Sequence, residues 1–394
     1  MATWDAIVVG AGVIGTSVAW HLASLGAQKV LVIEQGQIGC GTTAQSSGIL
    51  RTHYSVPENI ELALRSWVAF KQFDDYVSDE DASSGLVKCG YLIAAPAGNK
   101  LEPLRQALLA QQAKGIAVEF LSPATAQERL PIARFDTAAL IGYEPEAGFA
   151  DAYLVTAGFA RSARRLGVSF REGVRVDGLI RDGARVIGVH TSDGAQHAER
   201  VISTQNIWSS QLQTWTGIDV PLTPERHTVL ALKGPQAYTQ QMPVFKDLGS
   251  SGMLYYRSYG GNQMLVSEGT AGEQLHDVIN EQGEVSMDQV IAVGAQVADR
   301  FPSFAEAGLA SSWTGIYDVT PDWNPVLGSL PDVPGLIVGF GFSGHGFKLS
   351  PAVGRVLAQE ALGLTTDVPL EPYAHERFRR GRLLAGRYGQ GAVS

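Results

Sequence analysis

The hydrophobic and polar positions at the start of the chain follow two different periods. Residues 6–9 form a short apolar run, residues 16–25 repeat their apolar positions with a helical period, and residues 29–34 form a second apolar run. A Gly-rich segment precedes the helical stretch, and Gly26 follows it. A strand, a helix and a second strand in this order predict a parallel βαβ unit.

The rest of the chain predicts a mixture of helices and strands. Amphipathic periodicity predicts helices at residues 60–76, 101–114, 155–166 and 286–301. Alternation predicts strands at residues 168–170, 174–180, 185–191 and 200–203, antiparallel strands within residues 226–268, and a buried strand at residues 336–340. Ser350 and Pro351 are typical of the N-cap and first position of a helix, which would run to about Leu362.

Length and composition favour a globular protein with more than one domain. The chain has 394 residues, which exceeds one comfortable hydrophobic core. Apolar residues make up 45% and charged residues 18%, as in a well-packed globular protein. Because sheet-like segments separate the βαβ start from the last buried strand, we expect an α/β (α+β) fold in which a smaller domain with an antiparallel sheet is inserted into the first domain.

Charge and cysteine count argue against several classes of function. The net charge is −9, whereas a protein that binds nucleic acid normally carries a basic face. The two cysteines, Cys40 and Cys89, are too few for a disulfide framework or a metal cluster. No apolar stretch reaches the length of about 18 residues that a membrane span needs. No basic segment precedes the first apolar run as in a signal peptide, so we expect a cytoplasmic protein.

The first turn carries a dinucleotide-binding pattern. Gly10, Gly12 and Gly15 have the spacing G-x-G-x-x-G between a predicted strand and helix. The first Gly permits a tight turn, the second lets the backbone approach a pyrophosphate, and the third allows close packing of the helix on the strand. Free N–H groups at the helix start would face the phosphates, and Glu34 stands where an acid binds ribose hydroxyl groups. Together these features favour a dinucleotide site over an ordinary Gly-rich turn.

A second Gly-rich run carries a family resemblance. Residues 339–348 read Gly-Phe-Gly-Phe-Ser-Gly-His-Gly-Phe-Lys, and residues 320–322 (Thr-Pro-Asp) and Gly328 precede them. With the first turn, this run resembles the signature of the glycine oxidase, sarcosine oxidase and D-amino acid oxidase group of flavoenzymes. Its pattern is most similar to monomeric sarcosine oxidase and the sarcosine oxidase β subunit. The resemblance implies FAD as the cofactor and a Rossmann-like FAD-binding domain interleaved with a smaller substrate domain.

The resemblance also implies how the two domains divide the chain. The FAD-binding domain would comprise residues 1–85, 145–220 and 310–394, and the substrate domain residues 86–144 and 221–309. Val174 would contact the adenine end of FAD through its backbone. The full set of expected FAD contacts is Gly10, Gly12, Val13, Ile14, Gly15, Glu34, Gln35, Gly41, Thr42, Thr43, Ser46, Ser47, Gly48, Val174, Gly315, Gly341, Gly344, His345, Gly346, Phe347 and Lys348.

The same resemblance implies a substrate site beside the flavin ring. Backbone N–H groups of residues 344–347 and the Lys348 cation would stabilise the negative charge that develops on the reduced ring. Arg51 and Lys348 are expected to bind a substrate carboxylate, because the planar fork of Arg51 suits that group. His53 would either help to deprotonate the amine or support its own loop. Tyr256 would either face the substrate or be a half-buried strand aromatic.

Several positions depart from the family pattern. Gly315 stands where monomeric sarcosine oxidase has a cysteine bonded to the flavin, and Gln45 stands where dimethylglycine dehydrogenase has a histidine with that role. We therefore expect FAD to be held without a covalent bond. Met264 falls where the sarcosine oxidases carry an oxygen-activating lysine, and Glu268 falls where they carry a site histidine, which makes fast use of oxygen doubtful. Asn206 replaces a residue in a small Ala-Gly stretch and can adopt a left-handed backbone as Gly does.

These features predict an FAD-dependent enzyme that oxidises the C–N bond of a small amine or amino acid. The substrate would be an N-methyl, secondary or D-amino acid, and water would hydrolyse the imine that forms. Oxygen as the electron acceptor would give hydrogen peroxide. A dehydrogenase subunit that passes electrons to another acceptor, and an inactive flavin-binding scaffold, are the alternatives. No metal ion, nucleic acid or membrane span is expected.

Overall fold

The computed structural model describes residues 3–54, 56–235, 241–276 and 283–384. The strands in these ranges are β1 (Trp4–Val9), β2 (Val30–Glu34), β3 (Ile49–Leu50), β4 (Val87–Lys88), β5 (Tyr91–Pro96), β6 (Glu119–Leu121), β7 (Ala138–Glu144), β8 (Gly148–Phe149), β9 (Ser169–Glu172), β10 (Val176–Asp182), β11 (Arg185–Thr191), β12 (Gly194–Ser203), β13 (Thr223–Lys233), β14 (Val244–Asp247), β15 (Tyr255–Tyr259), β16 (Gln263–Ser267), β17 (Glu273–Gln274), β18 (Gly308–Val319), β19 (Val326–Ser329) and β20 (Leu336–Phe340). The α-helices are α1 (Val13–Ser24), α2 (Pro57–Lys71), α3 (Phe73–Val77), α4 (Leu101–Ala113), α5 (Pro123–Arg129), α6 (Ala152–Arg165), α7 (Gln211–Thr216), α8 (Met287–Arg300), α9 (Gly346–Ala361) and α10 (Glu376–Arg379). None of the helices in the described ranges has the length and apolar character needed to cross a membrane.

The first sheet is largely parallel and has β1 near its centre. β1 pairs with β2 and β12, β2 pairs with β9, and β12 pairs with β20, all in parallel. The hairpin β10–β11 extends this sheet through the first half of β12, and β19 pairs antiparallel with β20. Ala6 and Val8 pack in the core that includes α1, α6 and α9, whereas Ile7 and Val9 pack in the core on the other face. The predicted βαβ unit and the α/β fold class are therefore confirmed.

The second sheet is the antiparallel sheet expected for the inserted segments. Its strand order is β17-β13-β16-β15-β14-β5-β7-β6, with β18 also paired to β13. All its pairs are antiparallel except β14 with β5. One face packs with α5 and α8 in a separate apolar core. The opposite face packs partly in the core that includes α1, α6 and α9, through residues such as Ile93 and Ala95, and its Tyr255 lines a cavity against the first sheet.

Strand β18 connects the second sheet to the first. It pairs with β13 from Val319, opposite Thr223, to Gly308, opposite Lys233, and so belongs to the second sheet. The predicted domain boundary between residues 309 and 310 falls inside this strand. The division of the chain into two interleaved domains stays a prediction. The strand itself carries Tyr317 and Asp318 from the second sheet toward the Gly-rich run after β20.

The helix after the last strand differs from the sequence prediction. It begins at Gly346, and Pro351 lies inside it, so the predicted start at Ser350 is wrong. A proline inside a helix lacks the N–H group of its turn and is tolerated where neighbouring groups supply other hydrogen bonds. Here the N–H of Ala352, the next residue, donates to the side-chain oxygen of Ser66 on α2 at 3.2 Å. The longer helix brings its N-terminus to the Gly-rich run.

Candidate active site

A cavity of about 600 Å³ lies between the two sheets. Glu34 and Val174 line it from the side of the first sheet, and Tyr255 and Tyr317 line it from the second. Gly344, from the Gly-rich run before α9, also lines it. Cavities of several hundred Å³ with a few convergent polar groups are typical of cofactor sites.

The first Gly-rich turn brings backbone to this cavity. Gly10 has a φ of 99°, and a Cβ atom there would lie 2.9 Å from the carbonyl oxygen of Thr204. Gly12 precedes α1, and it lines the cavity together with Val13 and Ile14 at the helix start, where the Val13 N–H donates to the Thr43 hydroxyl at 3.1 Å. Gly15 lies outside the lining, and a Cβ atom there would overlap with the carbonyl oxygen of Gly10. The turn therefore requires Gly at its first and third positions for packing.

Glu34 holds the same turn through both of its carboxylate oxygens. Oε2 accepts the N–H of Ala11 at 2.8 Å, and Oε1 accepts the N–H of Gly36 at 2.8 Å. Each oxygen retains a lone pair that can accept a further hydrogen bond. Glu34 therefore shapes the turn and still presents acceptors to a ligand in the cavity.

The second Gly-rich turn meets the cavity at the start of α9. Ser343 and Gly344 both have left-handed backbones, with φ of 48° and 82°. A Cβ atom on Gly344 would lie 2.5 Å from the Tyr317 ring, so Gly is required for this close approach. The Asp318 carboxyl accepts the N–H of Gly341 at 2.6 Å. Burial raises the pKa of Asp318 from 3.8 to about 6.

A smaller cavity of about 30 Å³ adjoins the larger one and is lined by cations. It shares Tyr255 and Tyr317 with the larger cavity, and the hydroxyl oxygens of these two residues are 2.9 Å apart. Arg51, Lys246 and Lys348 complete its charged lining, and all three are buried. No Asp or Glu is among its lining residues.

Burial and mutual repulsion lower the pKa values of the two lysines. The pKa of Lys246 falls to about 7, first because of burial and then because of the nearby Arg51. The pKa of Lys348 falls well below its usual value because of burial, with Arg51 and Lys246 adding to the shift. Buried cations that repel one another are stabilised when an anion binds among them.

The sequence model of the DAO family, described as FAD dependent oxidoreductase, matches residues 5–360. The chain belongs to this family. It is therefore an FAD-dependent oxidoreductase, as the resemblance in its two Gly-rich runs implies.

Relatives match the chain of this flavoenzyme over nearly its full length. The 4-methylaminobutanoate oxidase (formaldehyde-forming) of Paenarthrobacter nicotinovorans is 27% identical over 94% of the chain, which spans only 45% of that longer protein. Sarcosine oxidase subunit beta of Arthrobacter sp is 28% identical, with 100% of the chain and 95% of the relative covered. The L-proline dehydrogenase of P. horikoshii superposes with a TM-score of 0.88 at 24% identity, covering 97% of this chain and 99% of that one. This superposition shows that the two proteins share a fold.

The residues at the larger cavity fit FAD. The glycines of the two turns leave room for backbone N–H groups to approach phosphate and ring oxygens. His227 also lines the cavity, stacked on Tyr317 at 3.9 Å, and neither of its ring nitrogens has a hydrogen-bond partner among the described residues. Burial lowers the pKa of His227 to about 4, so a neutral imidazole with unused hydrogen-bonding capacity faces the cofactor space.

Most of the expected FAD contacts come together in the flavoenzyme. Those that line the larger cavity are Gly10, Gly12, Val13, Ile14, Glu34, Gln35, Gly41, Thr42, Thr43, Ser46, Ser47, Val174, Gly315, Gly344, Gly346 and Phe347. Outside this lining lie Gly15, Gly48, Gly341 and His345, while Lys348 lines the smaller cavity. A Cβ atom on Gly48 would overlap with the Ala150 carbonyl oxygen, and one on Gly341 with the Thr320 methyl group. These glycines therefore allow close packing behind the cavity.

His53 lines neither cavity. Its Nδ1 pairs with the Glu144 carboxylate, which also accepts the N–H of Thr52 at 2.8 Å. Burial lowers the pKa of His53, and the Glu144 carboxylate opposes that shift. Arg51 donates a hydrogen bond to the His53 carbonyl oxygen. The side chain of His53 thus contacts Glu144, and its carbonyl oxygen supports the Arg51 side chain, while its role at a substrate stays a prediction.

Tyr256 also lies away from both cavities. It is fully buried between Phe245 and Phe301, with ring centroids at 5.7 and 4.7 Å. Its neighbour Tyr255 lines both cavities instead. Met264, expected at the position of an oxygen-activating lysine, packs in the same core as Tyr256. Successive strand residues face opposite sides of a sheet, so an alignment error of one residue exchanges the two faces.

Asn206 has the left-handed backbone that the sequence predicts for it. Its φ is 49°, which is in the left-handed region, and it lines the larger cavity. The Thr42 hydroxyl donates to the Asn206 side-chain oxygen at 3.0 Å, linking this turn to the loop after β2. A residue other than Gly therefore keeps the turn beside the cofactor space.

Sequence reasoning missed Lys246, His227 and Tyr317. Each lies on a strand of the second sheet and lines a cavity, but none belongs to a motif. For Lys246, the available signal was a charged residue after the apolar run Met242 to Phe245. Such a signal does not tell a buried cation from an exposed one before the register of the sheet is known.

Proposed function

We propose that this flavoenzyme oxidises the C–N bond of a small amine or amino acid that carries a carboxylate. The observation that carries the proposal is the pair of buried cations, Arg51 and Lys348, at a cavity that adjoins the FAD cavity. Arginine and lysine together suit a carboxylate, which would offset the charge that burial leaves uncompensated. The substrates in the names of similar proteins, which include 4-methylaminobutanoate, sarcosine and proline, also combine an amine with a carboxylate.

The proposed reaction asks the protein mainly for positioning. FAD, when bound, supplies the hydride acceptor. Arg51 and Lys348 hold the substrate carboxylate and so orient the C–H bond beside the amine toward the larger cavity. The substrate loses a hydride from carbon and a proton from nitrogen, which passes to water, and a water molecule then hydrolyses the resulting imine to a carbonyl compound and an amine. Burial raises the pKa of Tyr317 well above its usual value, so its hydroxyl group stays protonated and hydrogen-bonds rather than acting as a base.

We also propose that the cofactor is held without a covalent bond. Gly315 lines the cavity and offers no side chain for attachment. The side-chain oxygen of Gln45 accepts the N–H of Ile316 at 3.0 Å, and an amide is not a nucleophile for this purpose. Cys40 also lines the cavity, but its sulfur lies beside Gly36 and thus at the Glu34 end. Denaturation should release all of the flavin into the filtrate, whereas flavin that stays with the polypeptide would contradict this assignment.

A substrate panel tests the reaction. Purified protein with FAD is assayed with N-methyl, cyclic and D-amino acids, once for peroxide in air and once for reduction of an artificial dye without oxygen. Each amine has a control that lacks the carboxylate. We expect turnover of at least one amino acid, and a rate at least about tenfold lower for its control because a charge-assisted contact is lost.

The two readings separate the possible acceptors. Peroxide formation identifies oxygen as an acceptor, and dye reduction without peroxide identifies a dehydrogenase. If FAD is bound and no panel member is oxidised in either assay, the proposal is contradicted and the inactive scaffold is favoured.

A further inference from the structure

Lys246 is a buried lysine whose amine pairs directly with no acidic side chain of the described residues. It is 3% exposed, and its Nζ has no hydrogen-bond partner among the described residues. The adjacent Asp247 raises the pKa of Lys246 less than burial, Arg51 and Lys100 lower it, and successive strand residues face opposite sides. The Asp247 carboxylate instead accepts from the Arg300 Nε at 2.8 Å and from the N–H of Gly249 at 2.8 Å. The amine of Lys246 therefore faces the smaller cavity with its hydrogen-bonding capacity unused.

The smaller cavity is lined by three basic side chains, which is more than a single carboxylate is expected to pair with. Arg51, Lys246 and Lys348 all line it, and none of its lining residues is acidic. The nearby Glu144 carboxylate is already paired with His53 and hydrogen-bonded to Thr52. A carboxylate bound by Arg51 and Lys348 would leave the Lys246 amine buried either as an unpaired charge or, since its pKa is about 7, as a neutral group without a hydrogen bond, and both are costly.

The local geometry leaves room for a group at the Lys246 amine. A cavity of about 30 Å³ accommodates roughly two water molecules, and its shared lining with the larger cavity gives a second carboxylate space only where the two cavities meet. Gly269 lies against this amine, and a Cβ atom there would overlap with the Lys246 Nζ. The Tyr255 ring lies on another side, with its centroid 5.0 Å from the same nitrogen. The amine is thus held in place by packing rather than by hydrogen bonds.

We propose that the substrate carries a second anionic group, which Lys246 binds while Arg51 and Lys348 bind the first carboxylate. The substrate class is then an amine with two carboxylates, attached either to the two carbons on nitrogen or to one side chain. This inference rests on the proposed function, since it identifies the substrate class of the same site. A second carboxylate supplies the counter-charge that the protein itself does not.

Paired substrates and two variants test the inference. N-(Carboxymethyl)glycine, N-methylaspartate and N-methylglutamate are compared with N-methylglycine and N-methylalanine in the FAD-loaded enzyme. For the best dicarboxylate, kcat/KM should exceed that of its monocarboxylate by about 10- to 100-fold, the value of a charge-assisted hydrogen bond. Lys246→Met should bring this ratio close to one, and Lys246→Arg should retain part of it. A wild-type ratio of one, or a ratio that Lys246→Met leaves unchanged, overturns the inference.

Binding of unreactive sulfides provides a readout that does not depend on turnover. Thiodiacetate carries two carboxylates and (methylthio)acetate carries one, and neither has an amine to oxidise. Calorimetry should give wild type an affinity about 10- to 100-fold tighter for thiodiacetate, and Lys246→Met should abolish the difference. Tighter, Lys246-dependent binding of thiodiacetate without oxidation of any amine supports the anion site and refutes only the proposed reaction. Oxidation of monocarboxylates with equal affinity for both sulfides refutes only the second anion site.

Discussion

The two ends of the active site are built from different parts of the chain. At the cofactor end close packing shapes the surface, because a Cβ atom on Gly10 or Gly344 would lie within 2.9 Å of the Thr204 carbonyl oxygen or 2.5 Å of the Tyr317 ring. At the substrate end the surface consists of charged side chains from three separate elements. Arg51 follows β3, Lys246 stands on β14 and Lys348 stands in α9.

This difference explains what a change of residue should do at each end. Where close packing around glycines shapes the surface, one added methyl group is enough to disrupt it. A side-chain surface depends on charge and on which face of a strand a residue occupies. We therefore expect steric changes to decide cofactor binding and charge changes to decide substrate choice.

The largest effect should follow a methyl group added at the first turn. In Gly15→Ala the new Cβ atom overlaps with the Gly10 carbonyl oxygen, and we expect a loss of stability of about 3 kcal/mol or more and loss of bound FAD. Flavin content and thermal unfolding measure this effect. Gly178→Ala is the matched control, because nothing lies within 4 Å of a Cβ atom there. Equal FAD content in both variants would contradict the steric account.

A change of charge geometry at the substrate end should leave the cofactor in place. Arg51→Lys keeps the positive charge but loses the fork, so we expect kcat/KM for carboxylated substrates to fall by about 10- to 100-fold with normal FAD content. Arg65→Lys, at an exposed arginine on α2, is the control and should have no effect. A loss of bound FAD, or an equal loss of activity with an amine that lacks a carboxylate, would show that Arg51 acts through the fold.

A buried carboxyl should make the second turn sensitive to pH. The pKa of Asp318 in the folded protein, about 6, lies above its ordinary value of 3.8, so the folded state binds this proton more tightly than the unfolded state. The stabilisation that the protonated Asp318 carboxyl gives the folded state is complete below pH 3.8 and is lost as the pH rises through about 6. Relative to Asp318→Asn, which does not titrate, wild type should lose about 2 kcal/mol over this range. Thermal unfolding of wild type and Asp318→Asn at several pH values measures this difference. Equal changes of stability with pH in the two proteins would contradict the prediction. The control, Asp136→Asn at an exposed position, should show the same pH dependence as wild type.

The smallest effects should distinguish the two faces of β15. Tyr255→Phe removes the hydrogen bond to Tyr317 in the cavity, which should change stability by about 1 kcal/mol and alter the kinetics with substrate. Tyr256→Phe removes a hydroxyl group that has no partner among the described residues, so stability should stay equal or rise and the kinetics should not change. Kinetic effects in Tyr256→Phe but not in Tyr255→Phe would reverse the assignment of the faces.

The dinucleotide end could be predicted from sequence because its chemistry is local. Gly10, Gly12 and Glu34 lie within one βαβ unit, so their spacing along the chain fixes their positions in space. The start of α9 could not be predicted in the same way. Pro351 is a strong local signal for a helix start, but the helix runs through it, and the N–H of Ala352 donates to Ser66 of another helix, a contact that the local sequence does not show.

The substrate end could be predicted only in part because it depends on long-range pairing. Arg51 and Lys348 were found through the family resemblance, and both line the smaller cavity. Tyr255 and Lys246 depend on the registers of β15 with β16 and of β14 with β5. Nothing in the local sequence fixes these registers, and a shift of one residue moves every side chain to the other face.

An anaerobic titration tests the central claim most directly. The purified protein is loaded with FAD, and carboxylated amines are added in increments without oxygen while the flavin band near roughly 450 nm, a property of the cofactor's own ring, is recorded. The account predicts that one of them bleaches the band with one equivalent of substrate per flavin and yields the carbonyl product. A protein that binds FAD but keeps its band unchanged with mono- and dicarboxylated amines alike would contradict the proposed chemistry.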